Sequence, residues 1–163
     1  MKSVLISIQP KWCAKIASGE KTIEVRKTAP KIQPPFKCYI YETQGKTEVP
    51  WMDEDGHMIF RGRGMVIGEF TCEFVDFLDE WNLFEGMDEV CQSRIEEFTC
   101  LSIDELLAYK GNRQEIYGWC ISELKIYDKP KQLCEFVTAN SQHYCHLHRP
   151  PQSWCYVDAP KGE

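Results

Sequence analysis

Short runs of β-branched and aromatic residues recur along the whole chain, and they constrain its fold more than any other feature. These runs predict strands at residues 3–8, 22–26 and 38–42, a hairpin at 49–60, and long strands at 65–77 and 117–127. A short helix should follow the first strand, at about residues 11–18. We see no βαβ rhythm and expect no parallel sheet. The sequence predicts an α+β fold, with a small curled β-sheet or β-barrel, a short N-terminal helix and helices inserted around residues 79–110.

The size and composition of the chain predict one domain with an ordinary core. The chain has 163 residues, of which 43% are hydrophobic and 27% charged, as in typical globular proteins. We therefore expect a single domain over residues 1–163. Pro130 should close the last long strand, and the segment at 131–163 is expected to be an irregular C-terminal tail.

The nine cysteines bear on the redox compartment of the protein. An odd number cannot pair off within one chain, and the apolar stretch that opens the sequence is too short for a signal peptide. No stretch approaches the roughly 20 apolar residues that a membrane span requires. We therefore expect reduced thiols in a cytoplasmic protein, with no membrane association and no cofactor.

The charge of the chain is acidic overall but unevenly distributed. The formal net charge is −6, yet residues 1–50 carry nine Lys and Arg against four Asp and Glu. Residues 51–110 carry four basic and fifteen acidic residues. The acidic total excludes a generic polycation that coats nucleic acid. The basic N-terminal third permits a local positive site for a phosphate-bearing ligand.

The segment Gly19-Glu-Lys-Thr-Ile-Glu-Val-Arg26 is the main candidate for a functional site. Gly19 is suited to end the first helix, so the chain turns there and Lys21 lies at the turn. In the strand that follows, Thr22, Glu24 and Arg26 project from one face. Two cations, a carboxylate and a hydroxyl gathered in this way could hold an anion. The alternative is an alternating charge pattern on a solvated strand face, which stabilises little.

Two further clusters carry weaker signals. Arg61-Gly-Arg-Gly64 could clamp a phosphate, but such a run is more often a hairpin exit, and the acidic hairpin tip at residues 53–55 disfavours phosphate. The tail contains candidate metal ligands at Cys134, His143, Cys145, His146 and His148. Zinc prefers Cys and His in paired spacings, and no C-x-x-C is present. We therefore expect an exposed polar loop rather than a metal site.

The opening of the chain, from Ser3 to Lys27, resembles the start of an ASCH domain in its strand, short helix and Gly-x-Lys-x-x-Glu-x-Arg motif. The Tyr117-Gly-Trp119 strand and the segment Arg149-Pro-Pro-Gln-Ser-Trp-Cys155 are similar to ASCH proteins carried by bacteriophages and prophages. The resemblance covers nearly the whole chain, with residues 79–100 matched weakly. It implies the small β-barrel of the PUA-like superfamily.

The same resemblance implies a ligand site. The superfamily is mostly associated with RNA or modified nucleotides, and the site would be a cleft between the first helix and the barrel that holds Lys21, Glu24 and Arg26. One branch hydrolyses the amide of an acetylated cytidine with the motif lysine, a second threonine and a distant glutamate. This sequence keeps Lys21 and Thr22 but has Glu24 in place of the second threonine, so the nucleophile of that branch is missing. Some family members are ribonucleases, and a Lys, Glu and Arg cluster could support that acid–base chemistry.

We therefore expect a protein that binds RNA or a modified nucleoside or nucleotide. The expected ligand-binding residues are Gln9, Trp12, Lys21, Thr22, Glu24 and Arg26. Trp12, Trp119 and Trp154 could each stack on a base or pack in the core, and Trp12 is preferred because it is next to the expected cleft. One alternative is a hydrolase with Lys21 and Glu24 as catalytic residues. Another is a phage protein that binds a host protein through the acidic region at 79–105.

Overall fold

The computed structural model describes residues 2–52, 56, 58–79, 89–139 and 145–158. Within these ranges the α-helices are α1 Pro10–Ala17, α2 Glu89–Thr99 and α3 Ile103–Lys110. The strands are β1 Lys2–Ile8, β2 Ile23–Arg26, β3 Phe36–Glu42, β4 Lys46–Met52, β5 Met58–Arg61, β6 Val66–Cys72, β7 Val75–Asp79, β8 Glu115–Cys120, β9 Ser122–Lys131, β10 Val137–Thr138 and β11 Trp154–Asp158. None of the helices described here has the length and apolar character needed to cross a membrane.

The chain groups into two compact units, each assembled from separate stretches of sequence. Unit 1 comprises Met1–Ala14, Lys37–Phe70 and Glu123–Glu163, and unit 2 comprises Lys15–Phe36 and Thr71–Ser122. Each unit has its own sheet and its own buried apolar cluster. A single domain over residues 1–163 remains a prediction.

Unit 1 is built on a six-stranded sheet in the order β10-β11-β1-β3-β6-β9, and β4 and β5 form the predicted hairpin. The acidic tip of that hairpin, at residues 53–55, lies outside the described residues. β1 pairs with β3 in parallel, which corrects the expectation of no parallel pairing. Helix α1 and strand β2 intervene between the two strands and supply the long connection that a parallel pair needs. A single such connection leaves no repeating pattern in the sequence.

The C-terminal segment completes the sheet of unit 1, so the expectation of an irregular tail at 131–163 is wrong for β10 and β11. β11 pairs antiparallel with β1 from Lys2↔Asp158 to Ile6↔Trp154. Phe136 is fully buried in the same unit, with its ring centroid 4.9 Å from that of Tyr39. Pro130 also lies inside β9 and does not end it. Periodicity does not reveal β11 because the strand is short and its partner is at the other end of the chain.

Unit 2 is built on the antiparallel sheet β2-β8-β7 and the helices α2 and α3. One face of this sheet carries Val25, Ile116 and Leu78, which form a buried cluster with Leu106 of α3. Residues directly opposite each other in antiparallel strands share a face, and successive residues alternate. Glu24 and Arg26 therefore belong to the other face of the same sheet.

The helical region predicted around 79–110 is confirmed for α2 and α3, while Asp79 ends β7 and residues 80–88 lie outside the described ranges. Helix α3 begins with the capping box that the sequence Ser102-Ile-Asp-Glu105 predicts. The Glu105 backbone N–H donates to Ser102 Oγ at 3.2 Å, and the Ser102 backbone N–H donates to the Glu105 carboxylate at 2.8 Å. Gly111 follows the helix with φ of 58°. Local sequence thus defines this helix well.

Each of the two predicted long strands is divided between two sheets. The strand predicted at 65–77 is β6 and β7, and the strand predicted at 117–127 is β8 and β9. The apolar pattern runs through both breaks, and periodicity does not show where a chain leaves one sheet for another. Gly68 lies inside β6, at a point where β9 passes close to the backbone. A Cβ at this position would lie 2.5 Å from the Lys125 carbonyl oxygen, so glycine permits the close approach of β9.

Candidate functional site

The end of helix α1 sets the position of Lys21. Gly19 has φ of 80°, the left-handed conformation that glycine adopts at little cost, as the sequence predicted. The Gly19 backbone N–H donates to the Ile16 carbonyl at 3.0 Å, and the Lys21 backbone N–H donates to the Lys15 carbonyl at 3.0 Å. These bonds close the helix end and fix the path by which the chain enters β2.

The side chain of Lys21 is held by the end of helix α2. Its Nζ donates a hydrogen bond of 2.7 Å to the carbonyl of Thr99, the last residue of α2. The neighbouring Thr22 backbone N–H donates to the Phe98 carbonyl at 3.0 Å. Carbonyls at a helix C-terminus lack partners within the helix and carry partial negative charge, so they favour a cation. Lys21 is thereby fixed by a residue 78 positions away in sequence.

Lys21, Glu24 and Arg26 form a buried chain of ion pairs. One carboxylate oxygen of Glu24 lies 2.9 Å from Arg26 Nη2, and the other lies 3.5 Å from Lys21 Nζ. The three side chains are only 2%, 7% and 10% exposed for Lys21, Glu24 and Arg26, respectively. The alternative of a solvated strand face is therefore wrong. Within the motif, Lys21 and Arg26 therefore both contact the carboxylate of Glu24.

The environment of Lys21 lowers the pKa of its ammonium. Burial is the main cause because it disfavours the charged form, and the nearby Arg26 adds to the effect. The charge and hydrogen bond of Glu24 oppose the shift, as does the charge of the Cys100 thiolate form. Glu24 therefore favours the protonated form of Lys21 against the effect of burial.

The sheet of unit 2 places an aromatic residue opposite each charged residue of β2. Glu24 pairs with Trp119 and Arg26 pairs with Tyr117 of β8. Trp119 is fully buried, and its ring meets that of Phe36 edge-on at 5.8 Å. Trp119 is thus a core residue and is not exposed for stacking on a base. Trp154 lies in unit 1, where its ring is 5.3 Å from that of Tyr156.

Tyr109 belongs to the same electrostatic cluster but is not evident from sequence. Burial raises the pKa of its phenol, the charge of Arg26 lowers it, and the charge of Glu24 raises it. Lys27 Nζ lies 5.0 Å from the centre of the Tyr109 ring, and Arg113 Nη1 donates to the Lys27 carbonyl at 3.3 Å. Tyr109 and Arg113 are distant from the motif in sequence, so only the packing of α3 against β2 brings them to it.

The other predicted ligand residues are divided between the two units. Thr22 is half-buried, and its backbone joins α2 to β8 through the Phe98 carbonyl and the Ile121 N–H. Gln9 and Trp12 belong to unit 1, where Lys11 Nζ lies 4.8 Å from the centre of the Trp12 ring. The ligand-binding roles of Gln9, Trp12 and Thr22 remain predictions, as does a cleft beside the first helix.

The Arg61–Gly64 run is tied into unit 1 by its backbone. The Arg63 N–H donates to Glu42 Oε2 at 2.7 Å, and burial raises the pKa of the Glu42 carboxyl. A Cβ at Gly62 would lie 1.6 Å from the Thr43 carbonyl oxygen, so the chain passes too close for any other residue. These contacts favour a hairpin exit over a phosphate clamp.

The candidate metal ligands and the acidic region lie partly outside the described ranges. His143 and residues 80–88 are among the positions not described. Among the residues that are described, no three His, Cys, Asp or Glu side chains are grouped to hold a metal ion. His146 Nδ1 lies 2.6 Å from the Cys134 carbonyl oxygen, which accepts a hydrogen bond when Nδ1 carries the proton. Binding of a host protein through residues 79–105 remains a prediction.

Comparison with known proteins identifies the family. The protein-family model of the ASCH domain matches residues 6–134 of this chain. The structure of an ASCH protein from Zymomonas mobilis aligns with a TM-score of 0.63 and 21% identity, over 96% of this chain and 87% of that chain. A single-substitution mutant of the same protein gives 0.63 and 21%, over 97% of this chain and 91% of that chain.

These similarities confirm the predicted α+β, PUA-like fold. Among curated proteins, none shows a match to this chain. The similarity to phage and prophage proteins and the cytoplasmic location stay predictions. The family model covers well over half of the sequence, including the Lys21–Arg26 motif. The chain therefore belongs to the ASCH domain family, whose PUA-like domains generally bind RNA.

Proposed function

We propose that this ASCH domain binds RNA or a modified nucleotide through Lys21, Glu24 and Arg26. The observation that carries the proposal is the buried cluster in which Lys21 and Arg26 both contact the carboxylate of Glu24. A residue whose pKa is shifted by burial and by a specific charged neighbour is a candidate for a functional site, and Lys21 is such a residue. Two cations placed together in this way could bind a phosphate-bearing ligand.

The chemistry of the three groups matches the parts of a nucleotide. Arg26 presents a guanidinium that can bind phosphate oxygens in a bidentate manner, and Lys21 adds a point charge. Glu24 can accept a hydrogen bond from a base amino group or a ribose hydroxyl. Exposed cations at Lys27 and Arg113, which meet at the end of β2, would attract a polyanion to this edge of unit 2.

An RNA-binding experiment in which single cationic residues are replaced by methionine tests this proposal. The probes are a fluorescein-labelled ten-nucleotide single-stranded RNA and a mononucleotide, titrated at several salt concentrations. Lys21→Met and Arg26→Met should each weaken binding about 10- to 150-fold, since each removes a charged hydrogen-bonding group. Each should also reduce the slope of log Kd against log salt by about 1.

The matched control for that experiment is Lys37→Met. Lys37 is also ion-paired, with Nζ 3.0 Å from Glu69 Oε1, but it lies on the sheet of unit 1. It should bind RNA as the wild-type chain does. If the wild-type chain binds neither probe, or if Lys21→Met and Arg26→Met bind as tightly as Lys37→Met, the proposal is wrong.

A second candidate function is hydrolysis of a modified nucleoside or of RNA. The observation that favours it is the lowered pKa of Lys21 with Glu24 Oε2 3.5 Å from its Nζ. A depressed pKa favours the neutral form of a lysine, which is the form that can act as a general base. The carboxylate could then stabilise the protonated lysine.

Turnover of acetylated cytidine and of short RNAs tests this second function. Glu24→Gln and Lys21→Met should each reduce kcat/KM at least about 100-fold, as expected for loss of an acid–base group. The pH profile of kcat/KM should show an ascending limb at the pKa of Lys21. Turnover that persists in both variants would exclude the assigned roles, whether or not the chain binds RNA.

A further inference from the structure

Two aromatic residues lie beside Arg26 on the neighbouring strands of the sheet of unit 2. Arg26 of β2 lies opposite Tyr117 of β8, and Tyr117 lies opposite Phe77 of β7. Opposite residues of antiparallel strands share a face, and adjacent strands are about 4.8 Å apart. Arg26, Tyr117 and Phe77 therefore form one row on the face that bears Glu24. The other face is occupied by the apolar cluster around Val25 and Leu106.

The rings of this row are available to a ligand. Phe77 is 58% exposed although it lies in a strand, and its ring centroid is 5.4 Å from that of Tyr117 at an angle of 51°. The Tyr117 hydroxyl donates to Glu115 Oε1 at 2.5 Å, which holds the ring in place. A large exposed ring costs hydrophobic free energy, and here it is oriented beside a second ring rather than isolated.

Cations lie at the Arg26 end of the row, where the exposed Lys27 follows Arg26 in sequence. Beside Phe77 and Tyr117, the acidic residues Asp79 and Glu115 lie opposite each other on the same face. The Glu115 carboxylate raises the pKa of the Tyr117 phenol, and the charge of Arg113, which donates to the Lys27 carbonyl, lowers it. A phosphate would therefore be held at the Arg26 end of the row and bases at the rings. Aromatic rings that stack bases beside cations that track the backbone are the usual means of binding single strands.

We propose that Phe77 and Tyr117 form a stacking surface for unpaired bases of single-stranded RNA whose phosphate is bound at Arg26. This inference rests on the proposed RNA-binding function and adds the kind of RNA that the site selects. Double-stranded RNA would not bind the two rings in this way, because its bases are already stacked and paired with one another. The surface would be tolerant of sequence, since every base has an aromatic face.

The test compares ring-removing and ring-keeping variants with two RNA probes. The probes are a labelled ten-nucleotide oligoadenylate and an abasic strand with the same number of phosphates. Phe77→Ala should weaken oligoadenylate binding about 5- to 150-fold, whereas Phe77→Tyr keeps a ring and should bind as the wild-type chain does. Tyr117→Leu should weaken binding similarly. Met52→Ala, an exposed apolar residue of β4, is the control that should change nothing.

The abasic probe separates stacking from charge. Wild-type protein should bind it more weakly than oligoadenylate, and Phe77→Ala should not weaken it further, while Arg26→Met should. If the wild-type chain binds oligoadenylate and Arg26→Met weakens it but Phe77→Ala and Tyr117→Leu do not, the stacking surface is refuted and the proposed function stands. If the wild-type chain binds no RNA and instead self-associates in sedimentation in a Phe77-dependent manner, the surface is a protein interface and both proposals fall.

Discussion

Replacement of Glu24 by glutamine gives the sharpest test of the buried ion-pair chain. The carboxylate lies 2.9 Å from Arg26 Nη2 and 3.5 Å from Lys21 Nζ, and all three side chains are at most 10% exposed. Glu24→Gln removes the carboxylate that both buried cations contact. Removing one partner of a buried pair costs about 3–5 kcal/mol, so we expect a loss of about 3–5 kcal/mol in the free energy of unfolding.

The pH dependence of this loss has a definite sign. The pKa of Lys21 is already lowered in the folded state, and Glu24 is what opposes that shift, so Glu24→Gln should lower it further. Between the folded-state pKa and the ordinary lysine value of 10.5, the unfolded state binds more protons than the folded state. Stability therefore rises with pH across that window and is lower below it. The window should be wider in Glu24→Gln than in the wild-type chain.

Urea unfolding followed by tryptophan fluorescence measures both effects between pH 6 and pH 10. The double variant Lys21→Met/Glu24→Gln should regain part of the lost stability, because it also removes one of the two buried cations that contacted the carboxylate. Glu20→Gln is the control, since Glu20 is an exposed partner of Lys15 at 3.3 Å and such surface pairs contribute little. A Glu24→Gln variant no less stable than Glu20→Gln would show that the buried ion-pair chain does not form in solution.

Three further predictions concern the scaffold. Gly68→Ala places a Cβ 2.5 Å from the Lys125 carbonyl oxygen, so it should destabilise unit 1 by about 1–3 kcal/mol in urea unfolding, and an unchanged midpoint would contradict this close approach. Ser102→Ala removes the cap of α3 and should cost about 1 kcal/mol, measured in the same way, with the exposed Ser18→Ala as a comparison. Burial raises the pKa of the Cys72 thiol to about 12, so native-state alkylation at pH 8 should modify the exposed Cys134 and spare Cys72 in a mass spectrum.

The sequence predicts those features of the fold and site that depend on neighbouring residues. The stop at Gly19, the capping box at Ser102 and the shared face of Glu24 and Arg26 follow from local rules, and the structure confirms them. The burial of the motif does not follow from such rules. It depends on the Thr99 carbonyl, which is 78 residues from Lys21 in sequence. An alternating pattern of charged residues in the sequence is the same whether solvent or another structural element covers the strand, so it does not predict burial.

The divided strands illustrate the same limit at the level of topology. Cys72 and Val75 are only three residues apart, yet Cys72 ends β6 of the six-stranded sheet and Val75 begins β7 of the three-stranded sheet. The residues of β6 and β7 satisfy the same apolar pattern, so periodicity alone joins them. The aromatic row is hidden for a related reason. Phe77 and Tyr117 become neighbours only through the pairing of β7 with β8.

The two candidate functions require different protonation states of Lys21, and Glu24 favours one of those states. Anion binding requires a protonated lysine, whereas a general base must be neutral for part of the time. Burial and Arg26 lower the pKa of Lys21, while Glu24 raises it by its charge and its hydrogen bond. In the acetylcytidine branch a threonine stands where this chain has Glu24, so the opposing charge is absent at that position. Because the carboxylate favours the protonated form of Lys21, Glu24 supports binding of phosphate over base catalysis.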